Sequence, residues 1–155
     1  MGFRSIAAKM IRVTSLGDIG RAPEYAGPLV ALAAEFKLAL VGYTHHWREP
    51  VAAPWKGILL ASVEGQMEEL LKPAACGWKG ALAHPLQVEA FVEKHGRAGC
   101  LLNGETWVLC PAQLKPGEIT CNDCRLCEAS KPGPHVVFAF HGAAANREKG
   151  RTKKE

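Results

Sequence analysis

The sequence predicts an α/β fold, a single domain over residues 1–145 that forms an open or partial β/α barrel with a mainly parallel sheet. Three observations predict it. Short apolar runs, typical of strands buried on both faces, alternate with amphipathic helical segments. The chain has 155 residues, too few for a closed eight-unit barrel of about 250 residues. A cysteine-rich segment at 110–133 predicts a C-terminal metal loop.

The predicted elements follow one another along the chain. Helices are predicted at 23–36, 64–75 and 85–94, because apolar residues recur there at helical spacing. Asn103-Gly104 predicts the turn of a hairpin between 100–102 and 106–109. Six strands are predicted for the sheet, at 9–14, 38–43, 58–63, 80–84, 106–109 and 136–140.

Composition excludes several classes of protein. With 48% hydrophobic and 22% charged residues, the chain is neither mainly disordered, nor collagen-like, nor a coiled coil. No apolar run approaches the roughly 18 residues of a membrane-spanning helix. The first ten residues do not resemble a secretory signal, so we expect a cytoplasmic protein. Six cysteines in a reducing compartment favour metal binding or catalysis over disulfides.

The positive charge is concentrated at the C-terminal end. The net charge is +4, and residues 146–155 hold five basic against two acidic side chains. The rest of the chain is therefore near neutral and does not suggest a polyanion-binding surface. We expect 146–155 to be a basic, disordered tail, and nucleic acid is the partner that its charge would favour.

The cysteine spacing is the strongest functional signal. It reads C-x10-C-x2-C-x2-C, and each C-x2-C step lets two thiolates converge on one side of a tight loop. Four thiolates suit tetrahedral zinc or an iron–sulfur cluster such as 4Fe-4S, and the spacing leaves both open. Cys76 and Cys100 lie outside the pattern and are expected to be small core residues. The expected ligands are Cys110, Cys121, Cys124 and Cys127.

A second group of candidates comes from the predicted topology. Parallel strands bring their C-terminal ends to one edge, where functional side chains gather. Asp18, His45, Ser62 and His141 are each predicted at or just after the C-terminal end of a strand, so we expect them to face one cleft beside the cysteine loop. The two histidines would then donate hydrogen bonds or carry protons, with Asp18 as acceptor. The alternative is that the histidines only cap strand ends.

Several short segments of the chain together form a recognisable series. In chain order they are Gly17-Asp18, Gly42-Tyr43-Thr44-His45-His46-Trp47-Arg48, Ala61-Ser62-Val63-Glu64, Gly77-Trp78, Cys110-Pro111-Ala112, Thr120-Cys121-Asn122-Asp123-Cys124-Arg125-Leu126-Cys127 and His141-Gly142. This series resembles a family of phage- and plasmid-borne proteins for which no reaction is established. The resemblance covers about residues 11–142, and the cysteine loop and the Tyr-Thr-His segment are its most specific parts.

The resemblance implies a fold and a metal rather than a reaction. The family is similar to shortened radical S-adenosylmethionine proteins with a partial β/α barrel. The CxxxCxxC loop that holds the reactive cluster in radical enzymes is absent here, so Cys110 to Cys127 is more like an auxiliary cluster loop. Two functions stay open: a metal-binding accessory protein, which includes a degenerate radical enzyme, and a non-catalytic zinc-stabilised module that binds nucleic acid or protein.

Overall fold

The computed structural model describes residues 9–13 and 17–140. Within these ranges the protein is a mixed α/β structure with a mostly parallel sheet, and the sheet does not close into a barrel. No helix in the described part is long and apolar enough to cross a membrane. The predicted tail at 146–155 and the candidate His141 lie outside the described residues.

The strands form a two-stranded and a six-stranded sheet. In the first, β1 (Met10–Arg12) pairs in parallel with β2 (Ala39–Val41). The second consists of β3 (Tyr43–Thr44), β4 (Leu60–Glu64), β5 (Gly80–His84), β6 (Ala98–Cys100), β7 (Thr106–Leu109) and β8 (His135–Ala139). Their order is β3-β4-β5-β8-β7-β6, and β6–β7 is the one antiparallel pair among the described strands.

Gly42 joins the two sheets. It separates β2 from β3, and its carbonyl oxygen accepts a hydrogen bond from the Leu60 N–H at 3.0 Å, so one chain segment pairs first with β1 and then with β4. A Cβ atom at Gly42 would lie 2.8 Å from Leu59 Cδ2 and 3.4 Å from Val13 Cβ. Only glycine therefore fits this crossing without displacing its neighbours.

The two faces of the six-stranded sheet have different coverings. Val137 and Ala139 of β8 belong to the main hydrophobic core, and we call their side the helix face. Val136 and Phe138 alternate with them and lie on the opposite side, which we call the loop face. Tyr43 joins the loop face, with its ring 5.7 Å from that of Phe138 and nearly perpendicular to it.

Helices and large apolar side chains cover the helix face. The main helices are α1 (Ala26–Glu35), α2 (Leu71–Ala75) and α3 (Val88–His95), and 3-10 turns at Pro50–Trp55 and Met67–Leu70 extend the layer. The core residues that these segments and the adjoining loops contribute are Ala26, Trp47, Ala52, Trp55, Met67, Leu70, Trp78 and Phe91.

The structure corrects several of the sequence predictions, and the strand predicted at 38–43 is divided at Gly42 into β2 and β3. Glu64 ends β4, and a bend at Gly65, with φ of 119°, separates it from the helical turns that the sequence predicts as one helix over 64–75. The first hairpin strand covers 98–100 rather than 100–102, because Leu101 already belongs to the turn. Cys76 and Cys100 are exposed rather than core residues, since one caps α2 and the other ends an edge strand.

The Gly42 crossing gives a first testable prediction. Gly42→Ala is expected to lower the free energy of unfolding by about 1–3 kcal/mol, because the added methyl group overlaps Leu59. Gly27→Ala is the control: a Cβ there meets nothing within 4 Å, so the change should stay within about 1 kcal/mol. Urea unfolding of both variants measures the difference. Equal effects would contradict the close approach at Gly42.

A buried histidine predicts a pH dependence of stability. His84 is 2% exposed, its Nδ1 accepts a hydrogen bond from the Leu86 N–H at 3.1 Å, and the rings of Phe91 and His95 stand 4.9 and 5.3 Å away. Burial, and secondarily the charges of His95 and Lys94, lower the pKa of His84. Protonation of His84 is therefore less favourable in the folded state than in the unfolded state.

We expect the protein to lose stability as the pH falls below about 6.5, the ordinary pKa of histidine. His84→Asn keeps an acceptor for Leu86 but does not titrate, so it should lose less stability over the same pH interval. Urea unfolding of both proteins at about pH 7.5 and about pH 5.5 provides the measurement. Parallel losses in the two proteins would show that His84 is not responsible.

Candidate metal centre

The cysteine segment connects β7 to β8 and crosses the loop face. Cys110 directly follows β7 and precedes α4 (Pro111–Leu114), in which proline occupies the first helical position. A second short helix, α5 (Cys121–Cys124), ends at Arg125, whose φ of 54° and ψ of 15° are left-handed. This backbone conformation ends the helix and turns the chain, so that Cys127 returns toward the sheet.

Gln113 fixes the start of this segment to the sheet. Its side-chain amide nitrogen donates to the Ala139 carbonyl oxygen, and its amide oxygen accepts from the Ala139 N–H, both at 3.0 Å. The amide group thus pairs with β8 as a backbone neighbour would. Because Gln113 is three residues from Cys110, this pair of bonds sets the position of the first candidate ligand.

Lys79 fixes the end of the segment. Its Nζ, just before β5, donates to the Leu126 carbonyl oxygen at 2.7 Å, and the Glu128 carbonyl oxygen lies 3.5 Å away. The Glu128 carboxylate in turn pairs with Arg125 and Lys131, each at 3.0 Å. The backbone around Cys127 is therefore anchored to the sheet and surrounded by positive charge.

The four candidate cysteines line one cavity of about 290 Å³ between the cysteine segment and the loop face. Cys110 is 9% exposed, whereas Cys121 is exposed and Cys124 and Cys127 are half-buried. The opposite wall comes from the sheets and includes Tyr43, Val136 and Phe138. The four predicted ligands therefore line the same cavity, including Cys110, which is distant from the others in sequence.

The surroundings disfavour free thiolates. Burial, followed by the nearby sulfurs of Cys110, Cys121 and Cys124, raises the pKa of Cys127 to about 11, although the Tyr43 hydroxyl, 3.5 Å from its Sγ, acts in the opposite direction. Burial also raises the pKa of Cys110. Without a cation the buried sulfurs stay protonated, and a shared positive charge is what would ionise them together.

The spacing of the donors does not match a single ion. Among the described residues, no group of three or more His, Cys, Asp or Glu side chains is placed to hold a metal ion. One zinc ion, with Zn–S near 2.3 Å, would bring its sulfurs to roughly 3.5–4 Å from one another. Thiol groups are suitable metal ligands, but the four sulfurs line a cavity and are not placed around a single ion position.

Two members of the second predicted group do meet. Asp18 accepts hydrogen bonds from the Gly20 N–H at 2.9 Å and the His45 N–H at 2.6 Å, and the His45 Nδ1 lies 3.4 Å from the same carboxylate. Burial raises the pKa of Asp18, but these backbone bonds and the Thr44 hydroxyl outweigh it and lower the pKa overall. Asp18 thus has a structural task, since it joins the 18–20 turn to the segment after β3.

The histidines beside Asp18 also reach other carboxylates. His45 Nε2 lies 3.9 Å from Glu64, and His46 Nδ1 lies 2.7 Å from Glu49. His46, which was not among the predicted site residues, also approaches Asp18, with its Nε2 4.0 Å from the carboxylate. His45 is largely exposed, which suits a loop residue better than an enclosed catalytic group.

The other two candidates are not placed with this pair. Ser62 lies inside β4, two residues before its end, rather than at the C-terminal end of the strand as the sequence predicts. Its carbonyl oxygen accepts a hydrogen bond from the Trp47 indole at 3.1 Å. His141 lies outside the described residues, so the predicted four-residue cleft stays a prediction.

A polar cleft of about 470 Å³ lies at the other edge of the sheet. His135, at the start of β8, accepts a hydrogen bond on Nδ1 from the Gly80 N–H at 2.7 Å, and its Nε2 contacts Glu105. Both ring nitrogens of His135 therefore have hydrogen-bond partners, so neither is available to act as a base. This histidine ties together the first residues of β5 and β8.

Sequence reasoning missed the residues that complete the cavity. Arg12, Tyr43 and Phe138 approach the cysteine segment only because the sheet register brings three distant strands together. Lys79 makes its contact across 47 residues of sequence. The one local signal was the alternation in β8, which places Val136 and Phe138 on one side.

Comparisons of the chain with protein-family models, with curated proteins and with solved structures give no significant match.

The Gln113 contact leads to a prediction about the cysteine segment. Gln113→Leu should lower the free energy of unfolding by about 1–3 kcal/mol, because the buried Ala139 N–H loses its acceptor. The Cys110 thiol should also react faster with a maleimide in the native protein, measured by mass spectrometry. Gln66→Leu, at an exposed position, is the matched control. Unchanged Cys110 reactivity would exclude Gln113 as an anchor.

Proposed function

We propose that the chain is a metal-binding protein that holds an iron–sulfur cluster on Cys110, Cys121, Cys124 and Cys127. The observation that supports this most is that all four thiols line one cavity, including Cys110, which is distant in sequence from the other three. A cubane spreads its four cysteine ligands over four iron atoms, so it needs its sulfurs farther apart than a single ion does. A cluster would supply one-electron transfer or would brace the segment that carries the cysteines.

The charges around the cavity agree with this proposal. A cluster with four thiolates carries net negative charge, which a protein must offset. Arg12 and Arg125 line the cavity, and Lys79 lies close enough to Cys124 and Cys127 for their charges to oppose the burial that lowers its pKa. The Tyr43 hydroxyl can donate to the Cys127 sulfur, and hydrogen bonds to ligand sulfurs tune the reduction potential of clusters.

The resemblance to phage- and plasmid-borne proteins supports the role of an accessory protein of that type. Its most specific parts are the segments around Tyr43 and around the last three cysteines. A zinc-stabilised module that binds nucleic acid or protein is the competing function. It needs the same four cysteines to close around one ion, so the identity of the metal separates the two.

Purification without oxygen tests the proposal. We expect about four iron and four sulfide per chain, with broad visible absorption that bleaches on reduction. Serine substitution of any of the four cysteines should lower the iron content severalfold, because the remaining thiolates lose their shared cations. Metal analysis and absorption spectroscopy provide the measurement.

The chain contains its own controls for this experiment. Cys76→Ser and Cys100→Ser replace exposed thiols outside the cavity, and they should leave iron and sulfide unchanged. One zinc per chain, lost in the four cavity variants only, would replace the cluster with the zinc module. A protein without bound metal, or one whose metal content responds equally to all six substitutions, would exclude the four-cysteine site.

A further inference from the structure

Helix α1 leaves a stripe of large apolar side chains exposed. Tyr25, just before the helix, is 54% exposed, Leu32 is 44% exposed, and Phe36, just after the helix, is 60% exposed. Leu29 lies between Tyr25 and Leu32 in the sequence and is half-buried. Because these residues recur at spacings of four, three and four, they line one side of the helical segment. We call Tyr25, Leu29, Leu32 and Phe36 the apolar stripe.

The apolar stripe is not the side of α1 that the fold buries. The buried residues of α1 are two small ones, Ala26 and Ala33, and through them the helix packs against the rest of the protein. Among the described residues, six large apolar side chains are exposed, and four of these lie within 25–36. Single exposed apolar residues are ordinary, whereas a concentration of them on one surface is typical of an interaction site.

The order of residues in the apolar stripe is self-complementary. We consider two copies of α1 that pack antiparallel about a two-fold axis between positions 30 and 31. Tyr25 of each copy then lies opposite Phe36 of the other, and Leu29 lies opposite Leu32. Aromatic rings therefore meet at both ends of the contact and leucines meet in the middle. An isologous interface requires a surface of this kind, in which one patch matches itself.

The charged residues at the two ends of the apolar stripe have the same symmetry. Glu24 precedes the stripe and Lys37 follows it, and both are exposed. Neither forms an ion pair within the described part of the chain. The axis between positions 30 and 31 brings Glu24 of one copy opposite Lys37 of the other, so opposite charges meet at both ends. A parallel pair of helices would instead bring like charges together, which disfavours that arrangement.

We propose that the apolar stripe binds a second copy of this chain, with the two α1 helices antiparallel about this axis. Antiparallel helices pack with their axes about 8–10 Å apart, which allows the leucines and rings to interdigitate. The stripe is about 16 Å long, so the interface is small and we expect a Kd of about 1–100 µM. The stripe shares no residue with the lining of the cysteine cavity, so this interface does not depend on bound metal.

Other occupants of the apolar stripe lead to a different expectation. Residues 1–8 of the same chain contain Phe3 and Ile6, which are apolar. A different protein is the second alternative. Either occupant would leave the purified chain monomeric, and neither gives a reason for the symmetric positions of Glu24 and Lys37. The oligomeric state of the purified chain therefore separates these alternatives from a second copy.

Sedimentation equilibrium of the full chain over about 1–500 µM provides the measurement, because this range brackets the expected Kd. A reductant in the buffer prevents disulfides between the exposed thiols of Cys76 and Cys100. We expect the average mass to rise with concentration from 16.7 kDa toward twice that value. Leu32→Glu should raise the Kd at least about tenfold, because it places two carboxylates in an apolar contact.

The chain offers a matched control and a test of the helix orientation. Leu102→Glu makes the same substitution at an exposed leucine in the β6–β7 hairpin, outside the apolar stripe, and should leave the Kd unchanged. Glu24→Lys and Lys37→Glu should each raise the Kd about threefold, because each change occurs twice in the dimer and brings like charges together. The double variant restores opposite charges and should return the Kd to that of the unchanged chain.

Three results would overturn the proposal: a chain that stays monomeric over the whole range, equal effects of Leu32→Glu and Leu102→Glu, or no recovery in the double charge variant. If Leu32→Glu does not fold, the exchange of Glu24 and Lys37 still decides. Metal analysis of the same sample tests the cysteine site separately. Absence of metal would count against the cluster and not against this interface.

Discussion

The central position of β8 is the constraint on which the rest of the structure depends. It is the last described strand in the sequence, yet it lies between β5 and β7 and pairs in parallel with both. Its alternate side chains pack into the hydrophobic core on one face and line the cavity on the other. Its first residue, His135, holds Gly80, and its last, Ala139, accepts and donates to Gln113. A single five-residue strand thus fixes the core, the cavity wall and the path of the cysteine segment.

The unequal covering of the sheet explains why the cysteine segment lies where it does. Parallel sheets are nearly always covered on both faces, because their strands expose apolar side chains on each side. The main helices, α1 to α3, cover the helix face. The cysteine segment and the β1–β2 pair cover Tyr43, Val136 and Phe138 on the other, while Ala83 and Glu64 remain exposed there. The cysteine segment is therefore also part of the layer that covers the loop face of the sheet.

The sequence predicted those features that arise from local periodicity. Apolar runs located the parallel strands near their observed places, although the run at 38–43 was predicted as one strand and forms both β2 and β3. The position of Cys110 with the other three cysteines also followed from the pattern. The helix predicted over 64–75 starts too early, because a single glycine, Gly65, decides where β4 ends and no periodicity marks it.

The partners of the cysteines could not be predicted in the same way. The strand order and the register of the sheet bring Tyr43, Arg12 and Lys79 to the cysteine segment. Neither the order nor the register can be read from a single sequence. The exposed Cys76 and Cys100 illustrate the opposite error. A general preference of unpaired cysteine for the interior was applied to positions that a helix end and an edge strand bring to the surface.

The connection from β7 to β8 has a consequence for motion. Such crossovers usually contain a long helix, but this one contains only α4 and α5, of four residues each. Helices so short have no stability of their own. The segment is held by a few distant contacts, at Gln113, Lys79 and Tyr43, so it can open as a unit while the sheet beneath stays paired. Backbone amides at 111–131 should then exchange with solvent far faster than those of β8, and incoming atoms gain a route to the interior that requires no global unfolding.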